Sequence, residues 1–266
     1  TNDLELTDIA KLICRGGWPA ATNISDKYSL KIATEYYKAV VKTDISEVDG
    51  VKRDEIRTEK LMSSYARNQG SQATIRSICN DISANETNKI SEETVSSYIN
   101  ALKQIFVIED STAWNPNLRS KTAIRTSDTR YFIDPSIATS ALGIGPNDLI
   151  NDLSTMGLMF ETMAIRDLRV YADALDGKIF HYRDKNGLEC DAVLHRSNGQ
   201  YGLIEIKLGG ETSINNGIET LQKLSKEIDT QKMQEPSFLM VLTAVGKYAY
   251  VNDEGVYIVP IGCLKD

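Results

Sequence analysis

The stretch 182–210, YRDKNGLECDAVLHRSNGQYGLIEIKLGG, constrains the fold of this 266-residue chain more than any other. Two turn signals, Lys185-Asn186-Gly187 and Ser197-Asn198-Gly199, bracket short apolar runs. They predict strands paired as a hairpin. Side chains alternate along a strand, so Glu189, Asp191 and Val193 share one face. On the next strand Glu205 and Lys207 share a face about 7 Å apart, and Ile204 and Ile206 point the other way.

Charges inside strands this apolar need a physical reason. A lone buried carboxylate is costly, and two carboxylates repel. A divalent cation resolves both problems, and Mg²⁺ is commonly held by one or two carboxylates with water and phosphate in the other positions. Such an ion activates water and stabilises the charge that builds on a phosphodiester, and a neighbouring lysine stabilises the same charge. Asp191 and Glu205 are therefore candidate metal ligands for Mg²⁺ or Mn²⁺, and Lys207 is the candidate stabiliser of the transition state. Glu161 is a candidate third acid, catalytic or metal-binding, because it lies on the core-facing stripe of a helix with Leu158, Ile165 and Leu168. Glu189 and Gln222 are auxiliary candidates. The competing reading is a half-exposed sheet on which Glu205 simply pairs with Lys207.

The flanking pattern sets the fold class. A helix over about 153–175, strands near 178–183, 188–195 and 201–208, a helix over about 214–232, and strands near 237–242, 247–251 and 256–260 predict a mixed sheet flanked by helices, an α+β or α/β domain. Residues 1–50 read as a helical linker, with Leu6, Ile9, Ala10 and Ile13 at helical spacing and Gly16-Gly17 as a stop. A second helix is expected over 29–42. Residues 51–133 read as three helices and a basic hairpin. The stripes are Leu61, Met62 and Tyr65; Ile75, Ile78, Cys79 and Ile82; and Val95, Ile99, Leu102 and Phe106, the last after a Ser91 N-cap. Strands are expected at 105–108 and 131–133. This is the winged-helix arrangement. The expected domains are a helical linker over 1–50, a winged helix over 51–133 and the mixed-sheet domain over 134–266.

The net charge of −7 argues against a non-specific DNA coat. Residues 51–130 are the exception, with twelve basic and ten acidic groups. Lys103, on the outer face of the third helix, and Arg119, Lys121 and Arg125, between the two strands, are candidate nucleic-acid contacts, so DNA is the expected partner. The competing reading is a solvated loop and a winged helix used for packing. The four cysteines lie far apart without CxxC or zinc spacing, which fits free thiols in a reducing cytoplasm. There is no apolar run of transmembrane length and no signal-peptide pattern, so no membrane partner is expected. The chain has no GxxxxGK[ST] loop and no GxGxxG, so it should not hydrolyse ATP alone. His181 and His195 have no triad partners, and Trp18 and Trp114 read as packing residues. A start at Thr1 reads as a fragment of a longer protein.

Asp191 followed by Glu205-x-Lys207 resembles the PD-(D/E)XK, or restriction-endonuclease-like, nuclease superfamily, and Glu161 in GLMFE sits where that superfamily often places an acid on its first core helix. The wider pattern resembles a C-terminal domain of unknown function that follows AAA-type ATPase modules in bacteria and archaea. The pieces are Arg15-Gly16-Gly17-Trp18-Pro19, Tyr131-Phe132-Ile133-Asp134, Gly157 to Glu161, Tyr182-Arg183-Asp184, Glu189-x-Asp191 and Glu205-x-Lys207. The resemblance implies a helical linker, a winged helix and a nuclease-like domain. Its implied activity is that of a metal-dependent endodeoxyribonuclease. It also implies an N-terminal ATPase partner before Thr1, through which alone ATP would act. The alternative is a non-catalytic DNA- or protein-interaction module on a relic nuclease fold. The oligomeric state is left open.

Overall fold

The computed structural model describes residues 2–84, 90–116, 127–231 and 233–265. The chain divides into two units. A helical unit comprises Ala10–Asp110 and Thr129–Thr162, and a sheet unit comprises Thr1–Ile9, Ser111–Asp128 and Met163–Asp266. The candidate basic residues Arg119, Lys121 and Arg125 lie outside the described residues.

The helical elements are α1 (Leu6–Arg15), α2 (Asp26–Ala39), α3 (Glu55–Arg67), α4 (Ile75–Ile82), α5 (Glu92–Gln104), α6 (Pro135–Leu142), α7 (Pro146–Asn151) and α8 (Leu153–Ala174). The division between the units falls within α1 and α8. Asp54, Thr74 and Ser91 cap α3, α4 and α5, each accepting the backbone N–H three residues on. The stripes Leu61, Met62 and Tyr65, then Ile78, Cys79 and Ile82, then Val95, Ile99 and Leu102 are all buried, as their spacing predicts. Each such aliphatic side chain contributes roughly 1.5–3 kcal/mol relative to exposure. The Phe132 ring meets Tyr65 edge-on at 5.5 Å.

Phe106 departs from its expected place on the α5 stripe. It is 74% exposed, with a left-handed φ of 56°. The strand expected at 105–108 does not form. The C-terminal turn of α5 takes the N–H groups of Ile105, Phe106 and Val107, leaving a single bridge between Ile108 and Phe132, flanked by Glu109 N to Tyr131 O and Ile133 N to Val107 O. The strand expected at 131–133 shrinks to the same bridge.

Residues 10–50 belong with the three helices rather than apart from them. The buried Arg53 guanidinium donates to Ile45 O at 2.5 Å, Asp49 Oδ2 at 2.7 Å and Ser97 Oγ at 3.4 Å, joining the end of that segment to α5. The motifs at 15–19 and 131–134 also meet. Gly16 closes α1 with φ 74°, Gly17 N donates to Asp134 Oδ2 at 2.9 Å, and Trp18 Nε1 donates to Ser136 Oγ at 2.9 Å. A Cβ on Gly16 would lie 2.4 Å from Ser136 Oγ, so only glycine fits this joint.

The sheet unit holds β1 (Gly177–Arg183), β2 (Glu189–Arg196), β3 (Tyr201–Lys207), α9 (Glu211–Glu227), β4 (Phe238–Thr243), β5 (Tyr250–Val251) and β6 (Tyr257–Pro260). The strand order is β1-β2-β3-β4-β6-β5. The first three strands are antiparallel neighbours, β3, β4 and β6 run parallel, and β5 returns antiparallel. Parallel β3 and β4 require a crossover, and α9 supplies it. Ile218, Leu221 and Leu224 of α9 join Val193, Leu203, Val241, Ile258 and Trp114 in one buried cluster. The protein is thus an α+β chain in which helices precede a mixed six-stranded sheet.

Candidate functional site

The site begins with a bulge. The β1–β2 register runs from Phe180 opposite Val193 to Tyr182 opposite Cys190, so His181 faces both Asp191 and Ala192. A bulge bends its strand and re-aims side chains. The β2–β3 ladder is paired only as far as Ala192 and Ile204. Beyond that point the Ile206 N–H donates to Asp191 Oδ2 at 2.7 Å, so a side chain replaces the main-chain acceptor.

Glu205 and Lys207 share a face, as alternation predicts. Lys207 Nζ lies 2.6 Å from Glu205 Oε2 and 3.2 Å from Asp191 Oδ2, bridging the two carboxylates. Glu205 is 4% exposed. Helix α9 covers it closely because residue 217 is glycine: a Cβ there would lie 3.4 Å from Glu205 Cβ and 3.2 Å from Val241 Cγ2.

Burial, and then the Asp191 charge, push the Glu205 carboxyl up to about 8, and the opposing pull of Lys207 is smaller. Burial acts to lower Lys207, but Asp191 and Glu205 outweigh it and hold the ammonium above its usual range. A raised carboxyl holds its proton more tightly in the folded chain than in the unfolded one. Its contribution to stability is complete below about 4.5 and is lost as the pH rises through about 8. The melting temperature of the wild type should therefore fall across this window relative to that of Glu205→Gln. Thermal melts over the same pH series check this, and parallel profiles would contradict it.

Glu189 pairs with Arg183 Nη1 at 2.6 Å on the surface. Gln222 is half-buried on α9. Glu161 belongs to the helical unit, where its Oε1 accepts a hydrogen bond from Tyr131 Oη at 2.5 Å and lies against Gly70. Lys103 pairs with Asp110 Oδ2 at 2.8 Å. Thr243 carried no signal in the sequence, yet β3–β4 pairing sets it level with Lys207.

Among the described residues no three Asp, Glu, His or Cys side chains gather to hold a metal. Asp191 and Glu205 supply two carboxylates. That donor set fits Mg²⁺ or Mn²⁺, which keep water and phosphate ligands, and does not fit a closed structural zinc site. The buried, proton-holding Glu205 beside a second carboxylate also fits, because added positive charge there would release its proton.

Cys14, Cys79 and Cys190 are buried free thiols, and Cys263 is a free, partly exposed one. No helix among the described residues is long and apolar enough to cross a membrane. Residues 156–264, which contain the whole sheet and the Asp191–Lys207–Glu205 cluster, match a family described as Domain of unknown function (DUF4143). No curated protein and no solved structure matches the chain. Residues 6–148, more than half of the chain, match the family described as Domain of unknown function (DUF8612), and the chain belongs to that family.

Proposed function

We propose that the sheet unit is a nuclease-like domain of the PD-(D/E)XK type that cleaves phosphodiesters of DNA with Mg²⁺ or Mn²⁺. The observation that carries this reading is the Lys207 ammonium set between Asp191 and the buried Glu205 at the end of β3. The order of helix, three antiparallel strands, crossover helix and parallel strands is compatible with it. Asp191 and Glu205 would hold the ion, which supplies a water nucleophile at neutral pH and offsets phosphate charge. The Ile206 N–H fixes Asp191 in place. Glu205 must give up its proton. Lys207 keeps its charge at neutral pH and offers hydrogen bonds to a phosphate oxygen. In the same reading α3–α5 act as a winged helix, with Ser96 and Asn100 on the outer face of α5 turned to DNA, and an AAA-type ATPase partner supplies any use of ATP.

Calorimetric titration of Mg²⁺ and Mn²⁺ tests the site. The wild type should bind one of these ions with proton release below about pH 8, read by repeating the titration in buffers of different ionisation enthalpy. Asp191→Asn should abolish the binding. A folded wild type that binds neither ion overturns the reading and leaves an interaction module.

A further inference from the structure

Next to the acidic cluster lies a cavity that the reaction itself does not explain. Leu203 and Val241 are buried against α9, and strand alternation carries Glu205, Lys207 and Thr243 to that same face. Thr243 is paired with Lys207 across parallel β3 and β4. From Thr243 a cavity of about 400 Å³ opens beneath the start of α9, walled by Ile214, Tyr248, Tyr250, Ile258 and Pro260. Its wall therefore begins about one strand spacing, roughly 4.8 Å, from the Lys207 strand.

The mouth of the cavity has a particular chemistry. Tyr248 and Tyr250 are 62% and 45% exposed, and their rings meet edge-on at 6.0 Å. Lys247 is exposed beside them, and the described lining contains no carboxylate although the chain carries a net charge of −7. The loop that displays these rings is held in place. Asn2 Nδ2 donates to Gly246 O at 3.0 Å, and Asn2 N donates to Lys247 O at 2.8 Å. Gly246 lets the loop lie against Pro260, where a Cβ would approach Cγ to 2.7 Å.

We propose that this cavity takes an unpaired nucleobase, stacked on Tyr248 and Tyr250, so that single-stranded nucleic acid is the substrate class of the neighbouring site; the substrate assignment rests on the nuclease reading above. Exposed aromatic faces accept any base, and a lysine at the rim meets the backbone phosphate. A base inside a duplex is stacked and paired, and so cannot enter without being extruded. Selection for unpaired strands follows from the cavity and not from the carboxylates.

Fluorescence anisotropy of labelled oligothymidylate and of a duplex of equal length, with the full chain in EDTA, reads binding apart from cleavage. Single-strand binding should depend on both rings, and duplex binding should not. Tyr248→Ala and Tyr250→Ala should each weaken single-strand binding about tenfold, and Tyr250→Phe should retain it. Both rings are exposed, so the variants should melt like the wild type. Alanine variants that bind the single strand like the wild type, or that lose duplex binding equally, would overturn the base site. Tyrosine-dependent binding in a chain that takes up no cation would support the base site and overturn the nuclease reading. Cation uptake with binding indifferent to both tyrosines would do the reverse.

Discussion

On the nuclease reading, Glu205→Gln should lower Mg²⁺-dependent DNA cleavage at least about 100-fold, with the fold intact. Glutamine keeps the size of the side chain and resembles its protonated form, which predominates below about pH 8 in the buried site. It has no proton to shed and cannot become the anion that a divalent cation needs. Asp191 remains paired with Lys207, so the variant leaves no uncompensated charge. Lys207→Met separates the roles. It removes the cation that competes for both carboxylates, so metal uptake should persist or strengthen while cleavage falls by a similar factor. Cleavage of a labelled single-stranded DNA, read beside the metal titration on the same samples, checks both. Wild-type cleavage rates in Glu205→Gln would exclude this cluster from the chemistry.

Asp110→Ala should destabilise the helical unit by about 3–5 kcal/mol. The Asp110 side chain is 2% exposed and gathers Arg130 Nη1 at 2.6 Å, Lys103 Nζ at 2.8 Å, the Tyr131 N–H at 3.3 Å and the Tyr65 hydroxyl. Alanine would leave the largely buried Arg130 guanidinium without this carboxylate and the Tyr65 hydroxyl without its acceptor. In the wild type, burial and then the Asp110 charge hold the Tyr65 phenol well above its usual range. Asp110→Asn keeps an acceptor and loses the charge, and should fall between the two. Urea unfolding of each variant measures this, and a loss below about 1 kcal/mol for alanine would mean that the network is solvent-relaxed.

The same network explains why two candidate residues could not be placed from sequence. Lys103 and Glu161 stand out locally, one as a cation on an outer helix face and the other as an acid on a core stripe. Their partners, Asp110 and Tyr131, are defined by tertiary approach. A helical stripe reports which side of a helix is buried and says nothing about what lies opposite.

Local periodicity determined most of the architecture. The helical stripes, the Ser91 cap, the turn glycines around the hairpin and the shared face of Glu205 and Lys207 are all set within a few residues along the chain, so spacing alone specifies them. Tertiary structure decided the rest. The closing turn of α5 took the backbone groups that a strand at 105–108 would have used and turned Phe106 outward. A bulge opposite His181 accompanies the Asp191 carboxylate bonded to Ile206 N and Lys207. The α9 crossover brought Thr243 beside Lys207 and opened a cavity under the Tyr248–Tyr250 loop. These features depend on backbone hydrogen bonds and close approaches between segments distant in sequence, and hydrophobic periodicity does not encode them.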